Sequence, residues 1–456
     1  VIFVSSKFQQ AIENMKLLQT TAASVALATT FVLSMTGTVE AATLVGVSNS
    51  IPSLSATVGS TYNTVSPDLA SQLQATLDKT VQETGIPGAV VGIVSPQGTW
   101  YGASGLSNRE TGTPMQLDNL FFTGSIKKTF TAATLLKLQE QGKLSLDDTL
   151  GKWLPEIASK IPDGSNITIR QLLNGSAGIY DFTQDVDPEI AKDPSILLSR
   201  NWQPEDLIAY AYGKPRYTGR TCSSVWCYTN TSSLIAEQIV EKATGSTYSS
   251  VLRNQVLEPL GMNHTFVATE EEIPAQLVRG YTDINGDGNL TDVTDYDLAI
   301  VRAAGGNVTS NAQDLIRFSQ GLFGGELLKG ESLNQMLTFV DTGNTPVAPG
   351  REAQGLTYGL GVQNIFPTPW GNMWGKGGTV LGNEVEMQYF PDSGITAVAL
   401  VNGVNVPVAP IDVLYTSLDT LFAQGQGNSQ SVPESSATGG LIALGAVGLL
   451  FVRKQR

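Results

Sequence analysis

Ser125 and Lys128 stand three residues apart in Phe121-Phe122-Thr123-Gly124-Ser125-Ile126-Lys127-Lys128-Thr129-Phe130, a stretch that opens a helix expected to run to about Gln141. Residues at i and i+3 share a helix face, so the seryl Oγ and the lysyl Nζ can reach one cleft. A hydroxyl is a poor nucleophile at its free pKa and needs a nearby base. Lysine can serve only where burial or a neighbouring cation lowers the pKa of its amine. The pair therefore points to acyl transfer through a seryl ester, with an amine as base.

Imidazole has no evident part in that chemistry. The chain carries one histidine, His264, in Leu260-Gly261-Met262-Asn263-His264-Thr265-Phe266, where a loop or surface position is expected. A Ser-His-Asp hydrolase would need it beside a serine. A zinc site needs more imidazole or thiolate than one histidine and the two cysteines, Cys222 and Cys227, supply. No cofactor is expected.

Two further segments give the Ser-x-x-Lys weight. Tyr228-Thr229-Asn230 directly precedes a helical pattern over 232–244. Trp374-Gly375-Lys376-Gly377-Gly378-Thr379 lies among strand patterns. Ser-x-x-Lys, a middle Ser-Asp-Asn and a final Lys-Thr-Gly form the signature of penicillin-binding proteins and class A beta-lactamases. Here the middle element is Tyr-x-Asn and the last is Lys-Gly-Gly.

The elements that must hold these residues can be read in order. Pro67 fits a first helical turn, and Leu69, Leu73, Leu77 and Val81 recur at helical spacing over 68–83. Segments 89–94 and 99–103 read as a hairpin whose first strand is apolar throughout, so helices should cover the sheet. The body of the nucleophile helix, 131–138, is mostly apolar on every side, which places it at a domain centre. Its start offers Ser125 the favourable end of the backbone dipole, and amides for a developing oxyanion. From 169 to 263 the pattern is helix and loop, read as a helical domain inserted between strands. A helix over 311–323, strands over 358–366, 373–375, 384–390 and 395–402, and a helix over 410–422 complete an α/β (α+β) body whose sheet draws on both ends of the chain.

With its motifs placed, the chain from about Asp68 to Phe422 resembles the broad serine hydrolase family of class C beta-lactamases, D-Ala-D-Ala carboxypeptidases, D-aminopeptidases and some esterases. The likeness extends to Gly142-Lys143-Leu144-Ser145-Leu146-Asp147-Asp148, to Leu172-Leu173-Asn174-Gly175-Ser176-Ala177-Gly178, to Val256-Leu257-Glu258-Pro259-Leu260-Gly261-Met262 and to the Ala303-Ala304-Gly305-Gly306 turn. It implies a mostly antiparallel sheet flanked by helices, plus a helical domain, with the cleft between them. It implies Ser125 as nucleophile, Lys128 as its activating partner and Tyr228 as the acid/base. Asn230 would hold the Lys128 amine or the substrate amide, and Lys376, with Gly378 beside it, would face a substrate carboxylate or support Tyr228. The backbone amides of Ser125 and Thr379 would form the oxyanion hole. Lys376-Gly377-Gly378 keeps the lactamase lysine with glycine in the middle, and Asn174 stands where a non-catalytic histidine is common. The leading expectation is a D-alanyl-D-alanine carboxypeptidase or related peptidase on peptidoglycan-derived peptides or small acyl amides. A class C-like beta-lactamase or esterase, and a catalytically inactive surface binding protein, are the alternatives.

The chain ends set expectations about compartment and organisation. Met15-Lys16, an apolar stretch over 21–35 and Val39-Glu40-Ala41 read as an export signal cleaved after Ala41, or else as a retained anchor. A polar spacer, Val432-Pro433-Glu434-Ser435-Ser436, an apolar stretch over 439–452 and Arg453-Lys454-Gln455-Arg456 resemble a PEP-CTERM-type sorting signal, the alternative being a plain transmembrane anchor. The resemblance implies a sorting protease as partner, transient membrane association through the ends and a periplasmic, outer-surface or extracellular location. The expected organisation is a leader (1–41), a linker (42–62), a hydrolase domain (63–425; sheet part about 63–120 and 300–425, helical part about 125–299) and a tail (426–456).

Export permits a disulfide, and a Cys222–Cys227 bridge would stiffen the approach to Tyr228. The formal charge of −14 comes with no basic run in the body, so nucleic acid is not an expected partner. Asp283, Asn285 and Asp287 match ligand positions of a calcium loop, but position twelve is Thr294 rather than Glu. A hairpin with an Asn/Asp/Gly turn is the other reading.

Overall fold

The computed structural model describes residues 64–427 apart from 201, 220–221, 269, 285, 304–306, 344–354 and 405–409. The first helix among the described residues, Pro67–Thr84, is capped at both ends. The Ser66 Oγ accepts the Leu69 amide at 3.3 Å, and Gly85 ends the helix in the left-handed region at φ 72°.

The principal sheet has nine strands, and every neighbouring pair is antiparallel. Their spatial order is Thr113–Pro114, Gly98–Asn108, Gly88–Ser95, Ile395–Val401, Glu384–Phe390, Gly371–Thr379, Gln363–Thr368, Gly355–Tyr358 and Val340–Asp341. The N-terminal hairpin thus zips onto the C-terminal strands, with Ala89 opposite Val401.

Strand Gly88–Ser95 is buried along its whole length because both of its faces are covered. Alternate residues point to opposite faces. Ala89, Val91 and Ile93 pack in the core shared by helices Pro67–Thr84 and Pro410–Gly427, while Val90 and Val94 join the larger core around the helix that follows Ser125.

That helix, Lys127–Glu140, follows a 3₁₀ turn at Gly124–Ile126. Eleven of its 14 residues are buried, so its polar groups need partners inside the protein. The threonine hydroxyls find them. Thr131 and Thr134 donate to carbonyls one turn back, and Thr129 donates to the Gly361 carbonyl at 2.7 Å. Phe130 stacks on Phe318, with ring centroids 3.9 Å apart, and ties this helix to Ala312–Phe323.

Three expectations about elements change. The strand expected over 358–366 is two strands, Gly355–Tyr358 and Gln363–Thr368, paired around a turn. The break is tertiary in origin: Gly361 sits at φ 68°, and a Cβ there would lie 2.4 Å from the Lys128 carbonyl oxygen. The strand expected over 373–375 runs over Gly371–Thr379, so Lys376, Gly378 and Thr379 lie within the sheet. Thr294–Ala303 forms a helix that no sequence pattern marked.

The 283–291 segment connects a short hairpin, Tyr281–Thr282 with Thr291–Asp292. Asp283 accepts the backbone amides of Asp287 and Gly288 at 3.0 and 2.9 Å, and Asp287 accepts that of Asn289 at 2.8 Å. Asn285 lies outside the described residues, among which no group of three or more histidine, cysteine or acidic residues could hold a metal.

Among the described residues no helix is long and apolar enough to cross a membrane. This corrects the transmembrane expectation. The stretches on which it rested, 21–35 and 439–452, lie outside the described residues, as do the leader (1–41), the linker (42–62) and the 432–456 stretch of the sorting-signal resemblance.

Candidate active site

Two backbones meet at van der Waals distance to form the floor of the site. The strand Phe121–Phe122 pairs with Val308–Ser310, and Thr123 hydrogen-bonds the Val308 carbonyl through both its amide (3.0 Å) and its hydroxyl (2.7 Å). Gly124 then turns at φ 51°, a conformation that favours glycine. A Cβ on Gly124 would lie 2.6 Å from the Thr379 nitrogen. On the facing strand, a Cβ on Gly378 would lie 2.8 Å from the Ser125 nitrogen. Glycine at 124 and at 378 thus lets the two backbones approach this closely.

Lys128 reaches Ser125 as helical spacing allows. Its Nζ donates to Ser125 Oγ at 3.3 Å and to Asn230 Oδ1 at 2.6 Å. Asn230 is oriented from behind: its backbone N–H and its Nδ2 donate to Asp181 at 3.1 and 3.2 Å, which turns Oδ1 to the lysine. Burial pushes the Lys128 amine down to about 8, against the opposing pull of the Asp181 and Glu237 carboxylates. An amine so tuned holds a useful neutral fraction near neutral pH.

Two lysine amines lie against Tyr228. Lys128 Nζ lies 4.7 Å and Lys376 Nζ 4.5 Å from its ring centroid, and Lys376 hydrogen-bonds Tyr228. The Tyr358 ring meets Tyr228 edge-on, with centroids 6.2 Å apart. Burial, with Lys128 adding to it and Tyr228 opposing it, also pushes the Lys376 amine down.

The approach to Tyr228 is stapled. Cys222 and Cys227 form a disulfide, and the Cys227 amide donates to the Gly175 carbonyl at 3.0 Å. Trp226 Nε1 donates to the Asn174 carbonyl at 2.8 Å. Asn174 itself caps its turn, its Oδ1 accepting the Ser176 amide and hydroxyl at 3.0 and 2.7 Å.

Ser125 lines an open cleft between the sheet and the helical part. Phe182, Val186, Ile190, Leu197, Trp202 and Leu207 form much of an apolar wall that the buried Asp187 interrupts, Thr379 and Val380 stand opposite the helices, and Lys127, Lys128, Thr183, Tyr228, Asn230 and Asn307 add polar groups. A mostly apolar pocket with a few convergent polar groups is the usual form of a small-molecule site. His264 is exposed on a turn and does not line this cleft.

Ser125, Lys128, Tyr228, Asn230, Lys376, Gly378 and Thr379 are thus brought together. Sequence reasoning missed Asp181, Lys127, Glu237 and Tyr358. Glu237 carried a signal, standing seven residues after Asn230 on one helix. Asp181 and Tyr358 come from separate segments that only the fold apposes.

Residues 73–417 match the Beta-lactamase family, and the chain belongs to it. This is a superfamily of serine hydrolases that takes in penicillin-binding proteins, beta-lactamases, esterases and amidases. The chain is 29% identical over 289 residues to PbpX of Bacillus subtilis (strain 168), named as a candidate penicillin-binding protein, covering 62% of each chain. It is 32% identical over 213 residues to the esterase EstB of Burkholderia gladioli, covering 45% of this chain and 53% of EstB. The matches thus take in about half to two thirds of the length of these curated relatives. Among solved structures, a D-stereospecific amidohydrolase from Streptomyces sp. superposes with a TM-score of 0.63 at 30% identity, covering 78% of this chain and 99% of that one.

Proposed function

We propose that this protein is a serine hydrolase that forms an acyl-enzyme on Ser125 and takes an amide, peptide or ester whose acyl side carries a bulky apolar group. The observation that carries the reading is the Lys128 amine bonded at once to Ser125 Oγ and Asn230 Oδ1.

In the proposed reaction the neutral Lys128 amine takes the Ser125 hydroxyl proton as Oγ adds to the substrate carbonyl carbon. The amides of Ser125 and Thr379 hold the developing oxyanion. As the carbonyl re-forms and the leaving bond breaks, the Tyr228 O–H donates its proton to the departing nitrogen or oxygen. The proton on Lys128 returns to Tyr228 to reset it. Water then adds to the acyl ester, losing its proton to the same base pair, and Oγ leaves as the hydroxyl.

The apolar wall supports a large acyl group over the methyl of D-alanine. The spread of relatives over a candidate penicillin-binding protein, an esterase and a D-stereospecific amidohydrolase supports the broader class over a D-alanyl-D-alanine carboxypeptidase alone. The Cys222–Cys227 bridge supports an oxidising location outside the cytoplasm.

A fluorophosphonate and a penicillin, each followed by intact mass and peptide mapping, test the nucleophile. A single adduct on Ser125, lost in Ser125→Ala with the fold retained, is expected. Hydrolysis rates on D-phenylalanine amide, a D-Ala-D-Ala peptide, nitrocefin and aryl esters of rising acyl length then sort the substrate. A protein inert to every probe with Ser125 accessible would favour a binding role instead.

A further inference from the structure

Two consecutive lysines face one side of the helix Asn230–Thr244. Asn230 and Glu237 are seven residues apart, two helical turns, so their side chains stand on one face. Lys128 Nζ donates to Asn230 Oδ1 at 2.6 Å, while Lys127 Nζ meets Glu237 Oε1 at 3.1 Å in a pair exposed by only 5% and 7%. Ser233, between them on that face, donates its hydroxyl to Glu237 at 3.1 Å. The allocation is chemically uneven: the lysine bonded to Ser125 has the neutral acceptor, and its neighbour has the carboxylate.

We propose that Lys127 is a positioning residue that occupies the Glu237 carboxylate and thereby keeps the Lys128 amine free to act on Ser125. The inference rests on the reading of Ser125 and Lys128 given above. A buried carboxylate deprived of its partner must take up a proton, which burial already favours at Glu237, or draw on the nearest amine, and while it stays ionised a carboxylate close to an amine favours the charged ammonium. Without Lys127 the nearest amine is Lys128, which would be drawn off Ser125 and held protonated.

The charged and titratable groups around the two lysines come from several elements, and the buried Asp187 of helix Thr183–Lys192 lines the same cleft as both. Glu237 faces Lys127, Lys128 and, from the next helix, Tyr248, whose hydroxyl bonds Thr131 at 2.8 Å. Lys128 also faces Asp181 from the loop before Thr183–Lys192, Tyr228 and, from the sheet, Lys376. Only Lys127 and Glu237 are altered in the test, so the other fields stay in place.

The Lys128 amine can be followed without turnover, by NMR of ε-carbon-labelled lysine in a Ser125→Ala background. Lys127→Met is expected to move the Lys128 titration up by about one pH unit. With Ser125 present, it moves the acid limb of Ser125 acylation by the same amount. Lys127→Arg keeps the ion pair and leaves both unchanged. Adding Glu237→Gln to Lys127→Met returns both to the wild-type position or below. Should Lys127→Met not fold, Glu237→Gln alone and the double variant carry the test, and Glu237→Gln is expected to move the titration down. An unmoved titration in the folded variants, whatever their melting temperatures, overturns the proposal and leaves the pair a structural one. Titrations that move as expected in a protein whose Ser125 never acylates would overturn the function proposed above and leave this inference standing.

Discussion

The carbonyl oxygen of Thr123 lies 1.9 Å from the point where a Cβ on Gly378 would stand. No carbon and oxygen tolerate that approach, so any side chain there must push the strand off the nucleophile turn and carry the Thr379 amide with it. Gly378→Ala should cost about 1–3 kcal/mol of stability. Loss of one oxyanion donor predicts a fall in turnover of about 10²–10³. Gly377→Ala is the control, because its Cβ would meet only the movable end of the Glu386 side chain, and it should stay close to wild type in melting temperature and rate.

In the proposed mechanism Lys128 sets the pH dependence. Its amine must be neutral to take the Ser125 proton and is pushed down to about 8, so kcat/KM should rise with pH and level off above about 8. Stability follows the same group. Between about 8 and the ordinary 10.5 the unfolded chain keeps a proton that the folded one has lost, so this lysine makes stability rise with pH across that window. A pH series of acylation rates and of urea midpoints checks both, and Lys128→Met should remove both dependences.

The disulfide bears on Tyr228. Closing so short a loop is worth about 2 kcal/mol of chain entropy, and Cys227 directly precedes the tyrosine. Reduction, or Cys222→Ser with Cys227→Ser, should lower the melting temperature and reduce kcat more than it raises KM. Unchanged kinetics with a lowered melting temperature would mean that the bridge serves stability alone.

Asp297 clamps the turn that follows Thr379. Its carboxyl accepts the Leu381 and Gly382 amides at 2.7 and 3.0 Å, and burial pushes it up to about 8 in spite of those bonds. The folded form holds a proton between the ordinary 3.8 and about 8 that the unfolded chain has released, so this group makes stability fall as pH rises across that range. Asp297→Asn should flatten that fall, and should cost about 1–3 kcal/mol at low pH because one amide loses its acceptor. Denaturant titrations at pH 5, 6.5 and 8 measure it.

Several elements were legible because their signals are local. Ser66-Pro67 and Gly85 bracket a helix whose apolar residues recur every four positions, and these fix its ends and its buried face in the sequence alone. A helix whose body over 131–138 is mostly apolar on every side sits inside a protein, and Ser125 and Lys128 share a face by helical geometry. The split of 358–366 was not legible, because Gly361 turns where its backbone must clear Lys128, a contact between residues more than two hundred positions apart. Helix Thr294–Ala303 follows a polar turn that masked its start.

The amino-acid sequence by itself pointed to the kind of chemistry proposed, since a chain with one histidine and a serine one helical turn from a lysine has few other ways to activate a hydroxyl. Only the tertiary structure decided which acceptor each lysine meets. Asn230 takes Lys128 and Glu237 takes Lys127 because two helices pack face to face, and an amine's proton affinity depends on burial and on charges a few ångströms away, which neighbours in sequence do not fix.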